Sequence, residues 1–118
     1  MATFELEHVE DVESGVTLVA LAGELDLTNV DDLEEELEAV ANVGPLVLDL
    51  NHLVFVDSAA LHVLFRIVRD RGAGGIAFVI ERTAPVAGTL SIVELDRATT
   101  VAATRAEAVT ALTRARAH

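Results

Sequence analysis

Leu46-Val47-Leu48-Asp49-Leu50-Asn51-His52-Leu53-Val54-Phe55-Val56-Asp57-Ser58-Ala59-Ala60-Leu61-His62-Val63-Leu64-Phe65-Arg66-Ile67-Val68 is the stretch from which the fold can be read. Leu46 to Leu50 is a short apolar run behind Gly44-Pro45, the pattern of an inner strand covered on both faces. A short hinge follows. Then Leu61, Leu64, Phe65 and Val68 recur at i, i+3, i+4 and i+7, the helical period, and this stripe is expected to face the sheet. Asp57 stands just ahead of it, where a carboxylate accepts backbone N–H groups that the first turn leaves without partners. Ser58 is thereby placed on that first turn, at the carboxyl edge of the sheet. In open α/β sheets this edge is where ligands and partners meet the fold.

Upstream, Phe4 to Val9 alternates apolar and polar residues as a half-buried strand does, and Glu13-Ser14-Gly15 is turn chemistry. Val16 to Ala22 reads as the hairpin partner, ended by Gly23-Glu24-Leu25-Asp26. A helix is expected from Thr28, with Asp31 completing a partial capping box. Its buried stripe would be Val30, Leu33, Leu37 and Val40. Its other face carries Asp31, Asp32, Glu34, Glu35, Glu36 and Glu38, acids that the helix dipole favours near the N-terminus. They could also form a docking surface. Asn42-Val43-Gly44-Pro45 closes this helix.

Downstream, the second helix runs from Ser58 to about Arg71 and stops at Gly72-Ala73-Gly74-Gly75. Ile76 to Ile80 is another buried strand. Thr83-Ala84-Pro85 starts a short helix that reaches about Val93 across Gly88. Thr99 to Ala102 is a short edge strand. Thr104-Arg105-Ala106-Glu107 is a capping box for a final helix with Val109 and Leu112 inward. The fold class is therefore α/β: one domain over residues 1–118, opening on a β-hairpin and then alternating α and β. The expected architecture is a mixed sheet of four to five strands with about four helices. Right-handed crossovers would put the helices after strands 2, 3 and 4 on one face.

Composition narrows the function. The chain has 118 residues, room for one core. It has no Cys, so disulfides and thiolate chemistry are excluded. No signal peptide is visible and no apolar run approaches the roughly 18 residues of a membrane span, so a cytoplasmic protein without membrane insertion is expected. Residues 1–57 hold 15 acids and no Arg, whereas residues 58–118 hold 5 acids and all 8 Arg; the net charge is −12. Such a chain is repelled by phosphate backbones, which argues against nucleic acid and for either a basic protein partner or simple solubility.

Val56-Asp57-Ser58-Ala59-Ala60-Leu61, behind Val47-Leu48-Asp49-Leu50, resembles the STAS domain of bacterial anti-sigma factor antagonists. That family opens this helix with Asp-Ser-(Ser/Thr)-Gly-Leu, and its serine is phosphorylated by an anti-sigma factor that is itself a kinase. Gly23-Glu24-Leu25-Asp26 resembles the family's motif at the end of its second strand. Glu94-Leu95-Asp96-Arg97 resembles the Gly-Leu-Asp segment before its last strand, with Glu94 in the glycine's place. Ala59 replaces the family's Ser/Thr, and Ala60 its Gly, so a methyl group stands where glycine lets a partner's backbone come close. The resemblance implies an anti-sigma factor antagonist that binds a kinase-type anti-sigma factor and is switched off by phosphorylation of Ser58. The expected partner-binding surface is Asp26, Asp57, Ser58, Ala59, Ala60, Leu61 and Val63. Ala60 and Val63 enter it because, with Ile67, they widen the apolar arc of the second helix beyond one packing stripe. That arc is either a docking patch beside Ser58 or a helix buried on two sides by its neighbours. The partner would be an anti-sigma factor serine kinase, with a place for a phosphatase that reverses the modification. The family also includes interaction modules that do not switch, serving as scaffolds or transport-complex subunits; in that reading Ser58 is structural.

The residues themselves bear on this choice. A phosphate on Ser58 would meet free N–H groups and the positive helix end, so local structure would tolerate it while a packed partner would not. Ser58, His62 and Arg66 share one helical face, which is either a solvated stripe or a place where His62 reaches such a phosphate. Asp26 would contribute to recognition or simply form the turn. An enzyme is not expected: Asp57-Ser58-Ala59-Ala60 lacks the Gly-x-Ser-x-Gly elbow, the histidines lack metal-ligand spacing, and no phosphate loop or cofactor signature is present.

Overall fold

Among the described residues, strand periodicity and helix caps assemble into one five-stranded sheet with five helices. A computed structural model describes residues 2–9, 15–41, 44–72 and 74–116. The order is β1 (Phe4–Val9), β2 (Thr17–Leu25), α1 (Val30–Ala41), β3 (Leu46–Val56), α2 (Ser58–Arg71), β4 (Ile76–Val79), α3 (Ala87–Ile92), α4 (Leu95–Ala98), β5 (Thr100–Ala102) and α5 (Arg105–Arg116). The strands lie side by side in sequence order. β1 and β2 pair antiparallel, and every later pairing is parallel. The expected turn at Glu13-Ser14, Asn42-Val43 and Ala73 fall outside the described residues.

The helices after β2, β3 and β4 share one face, as right-handed crossovers require. There Leu33, Leu37, Leu64, Leu90 and Leu95 pack with Leu21, Leu46, Leu48, Leu50, Ile76 and Phe78 in the main core. The opposite face carries α5 alone, whose Ala108 and Leu112 close on Leu18, Val47, Ala77 and Val79. At roughly 25 cal/mol per Å² of buried apolar surface, this aliphatic core is the main stabilising term. The box at the start of α5 forms with one shift: the Thr104 hydroxyl accepts the Glu107 N–H at 3.1 Å, while the Glu107 carboxylate reaches the Ala103 N–H at 3.3 Å.

Four expectations are corrected. First, β3 does not stop at Leu50 before a hinge; it continues to Val56. Ala20 to Ala22 of β2 faces Asp49 to His52, and Gly23 to Glu24 faces Leu53 to Phe55, so β3 carries two bulges. They let Leu50, Leu53 and Val56 enter the main core at three-residue spacing and leave Asn51-His52 and Val54-Phe55 outside it. Second, α1 begins at Val30, because the Thr28 hydroxyl and N–H both serve the Asp26 carboxylate instead of a helix cap. Third, residues 82–86 form turns, so the third helix starts only at Ala87 and the fourth, α4, precedes β5. Fourth, α2 buries Ala60, Val63, Leu64 and Val68, while Leu61 and Phe65 are only half buried. The core stripe is rotated toward the smaller side chains because α2 is flanked by α1 and α4.

Candidate functional site

The site is built where two parallel strands end together. Leu25 of β2 and Val56 of β3 are register partners, and the Asp57 N–H donates to the Leu25 carbonyl at 3.2 Å. The chain leaves these strands through the loop 26–29 and through Asp57, so the two segments singled out in the sequence become neighbours.

Asp57 joins them. One carboxylate oxygen accepts the Ala60 N–H at 2.9 Å, capping α2, and the other accepts the Leu27 N–H at 3.1 Å. A single side chain thus starts the helix and holds the neighbouring loop. Asp57 has the extended backbone (φ −97°, ψ −177°) that a capping residue needs. Ser58 follows as the first helical residue and is exposed. Among the described residues its hydroxyl makes no hydrogen bond. Since Asp57 occupies the Ala60 N–H, the first-turn donors left for a ligand are the N–H groups of Ser58 and Ala59.

The loop 26–29 is tied from within. The Asp26 N–H donates to the Asn29 side-chain oxygen at 3.0 Å, and the Asn29 amide donates to the Glu24 carbonyl at 2.9 Å. Asn29 is buried and lies directly before α1. The Thr28 hydroxyl and then its N–H hold the Asp26 carboxyl below the ordinary aspartate value of 3.8. With its ends fixed, the loop presents Leu27, 74% exposed, beside Asp57.

The other expected site residues are distributed as follows. Ala59 and Leu61 are half buried on the first turn of α2. Ala60 and Val63, expected on the partner-facing surface, are 1% and 5% exposed and belong to the core. The Ala60 methyl is therefore packed in the core. His62 and Arg66 are exposed on the Ser58 face, but the Arg66 guanidinium is engaged by Glu34 of α1. Glu94 adopts the left-handed conformation, φ 57° and ψ 43°, at the position where the glycine of the resembling motif would stand.

Sequence reading missed Leu27, Asn29 and Asp49. Leu27 was hidden among turn residues; its signal is a large apolar side chain between Asp26 and Thr28, outside the helical stripe. The Asp26-x-x-Asn29 spacing is the signal for the loop's internal bonds. Asp49 is buried in β3, where its carboxylate accepts from the Arg105 Nε at 2.8 Å and from the Asn51 N–H at 3.0 Å. That pair clamps α5 to the sheet, and no local signal announces it.

A protein-family model described as STAS domain matches residues 4–108. Among solved structures, a crystal structure described as an anti-sigma factor antagonist from Mycobacterium paratuberculosis superposes with a TM-score of 0.79. The match covers 93% of this chain and 94% of that one, at 27% sequence identity.

Proposed function

This chain belongs to the STAS domain family, and we propose that it acts as an anti-sigma factor antagonist whose binding to a kinase-type anti-sigma factor is controlled at Ser58. The observation that carries this reading is the exposed, unbonded Ser58 hydroxyl, held on the first turn of α2 by a cap that also fixes the neighbouring loop. The likeness to a solved anti-sigma factor antagonist over nearly the whole length of both chains supports the general role.

In this reading the partner contacts Asp26, Asp57, Ser58, Ala59 and Leu61, with the exposed Leu27 as an apolar anchor. Ala60 and Val63 act from beneath, through the packing that positions the helix. The partner supplies ATP and the catalytic machinery; this chain supplies the acceptor hydroxyl. Phosphorylation adds about 1.5 to 2 negative charges and three acceptor oxygens. Next to Asp57 and Asp26 that charge would make a tightly packed interface costly through bulk, desolvation and repulsion, and the partner would leave. A phosphatase would restore the binding form. The described residues contain no helix long and apolar enough to cross a membrane, and the reading places the protein in the cytoplasm with its kinase.

The test is the mass of the protein isolated from its host, with the modified residue mapped, followed by binding of the kinase partner. One phosphate on Ser58, retained binding of Ser58→Ala and loss of binding by Ser58→Asp are expected. Absence of phosphate in both growing and stressed cells, with Ser58→Asp binding its partner normally, would instead favour a non-switching scaffold module.

A further inference from the structure

β3 is much longer than the strand beside it. It pairs with β4 only from Leu46↔Ile76 to Asp49↔Val79, but with β2 all the way to Leu25↔Val56. At Asn51 the side chain stands in for a strand partner: its oxygen accepts the Glu81 N–H at 2.7 Å. The chain after β4 then turns toward β5, with the Ile80 N–H on the Ala102 carbonyl at 2.9 Å. Among the described residues, no backbone hydrogen bond joins residues 52–56 to the segment after β4. That edge of β3 therefore has no backbone partner over residues 52–56, of which His52, Val54 and Phe55 are exposed and Leu53 and Val56 buried.

Two further features belong to this edge. The bulges leave Val54 and Phe55 outside the core, 59% and 48% exposed. Two acids flank the edge: Glu24 is the register partner of Phe55, and Glu81 is attached at Asn51. Arg82, beside Glu81, is the cation in the adjoining turn. An unpaired strand edge specifies an extended backbone as its occupant, because only that geometry satisfies its row of donors and acceptors.

We infer that residues 52–56 of β3 form a docking edge at which an extended, basic and apolar segment of a partner protein adds as an extra strand. Its backbone pairs with β3, its apolar side chains cover Val54 and Phe55, and its cationic side chains meet Glu24 and Glu81. The inference does not use Ser58 modification.

The experiment is an amide NMR titration of the full chain with a capped peptide of alternating arginine and valine. A second peptide carries N-methyl groups on the amides of one edge. The expected result is shifts and at least tenfold slower amide exchange centred on residues 52–56, with the N-methylated peptide binding at least tenfold more weakly. Val54→Arg, at an exposed position that leaves the unfolding midpoint unchanged, should weaken the first peptide at least fivefold. Equal binding of both peptides, shifts confined to the acidic face of α1, no shift at millimolar peptide, or unchanged affinity of Val54→Arg would each overturn the inference. Peptide-free dimers that protect the same amides would overturn it in favour of a second copy as occupant.

Discussion

Replacing Asp57 separates the two tasks of its carboxylate. In Asp57→Ala both bonds are lost, the 2.9 Å cap to Ala60 and the 3.1 Å bond to Leu27. A lost N-cap costs about 1 kcal/mol. Removal of a carboxylate from the helix N-terminus costs about 0.3–1 kcal/mol more. The Leu27 bond is solvent-exposed, so water replaces much of it and about 0.5 kcal/mol is a fair share. The total is about 2 kcal/mol. Asp57→Asn keeps one carbonyl oxygen for the cap and loses the charge and the Leu27 bond, for about 1 kcal/mol. A chain of this size shifts its melting temperature by roughly 4 °C per kcal/mol, so drops of about 8 °C and 4 °C are expected. With neither Trp nor Tyr in the chain, far-UV circular dichroism with urea or heat is the assay, joined by amide exchange at Leu27. Leu27 exchange should accelerate in both variants and Ala60 exchange only in Asp57→Ala. If Asp57→Asn matches the unaltered protein in stability and Leu27 exchange, the carboxylate does not bridge the two segments. If both variants lose equally, the retained cap is not what separates them.

Glu94→Gly should stabilise the protein by about 0.5–1 kcal/mol, since left-handed backbone costs a side chain about 1–2 kcal/mol and glycine returns part of that as unfolded-state entropy; the urea midpoint checks it. The exposed Glu94–Arg97 pair at 3.5 Å subtracts little. Arg105→Ala should cost about 1–3 kcal/mol, less than for a fully buried pair because Arg105 is half exposed, while Asp49 is left buried without its cation; thermal unfolding reads it. Asp26 should titrate by NMR below 3.8, and Thr28→Val should raise its midpoint. Because its folded pKa is depressed, its contribution to stability is complete above the ordinary aspartate value and fades as pH falls through the folded one.

Local chemistry explains what could be read beforehand. The cap at Asp57, the box at Thr104 and the stop at Gly72 act within a few residues, and each helix they bound was legible. β3 was cut short because its two bulges place Leu50, Leu53 and Val56 three apart, a spacing that matches neither strand nor helix. The face of α2 was misjudged because seven apolar residues between Ala60 and Val68 fit more than one stripe, and only the neighbours α1 and α4 select one. Proximity of the end of β2 to Asp57 followed from the parallel order of strands. The bridge through Asp57 to Leu27 could not be foreseen, since it joins residues 30 apart. Asp49 and Arg105 are 56 apart and meet only across the finished sheet.

The lone position of α5 sets an order of events during synthesis. All five strands and the four helices of the main core lie in residues 4–102, and the covering for the other face comes last. At about 5–20 residues per second, the ribosome needs roughly one to three seconds after β5 to make α5, which ends at Arg116. During that interval Leu18, Val47, Ala77 and Val79 have no helix over them. The nascent domain then has its sheet and main core but is sticky on one side, the stage at which a chaperone has most to protect.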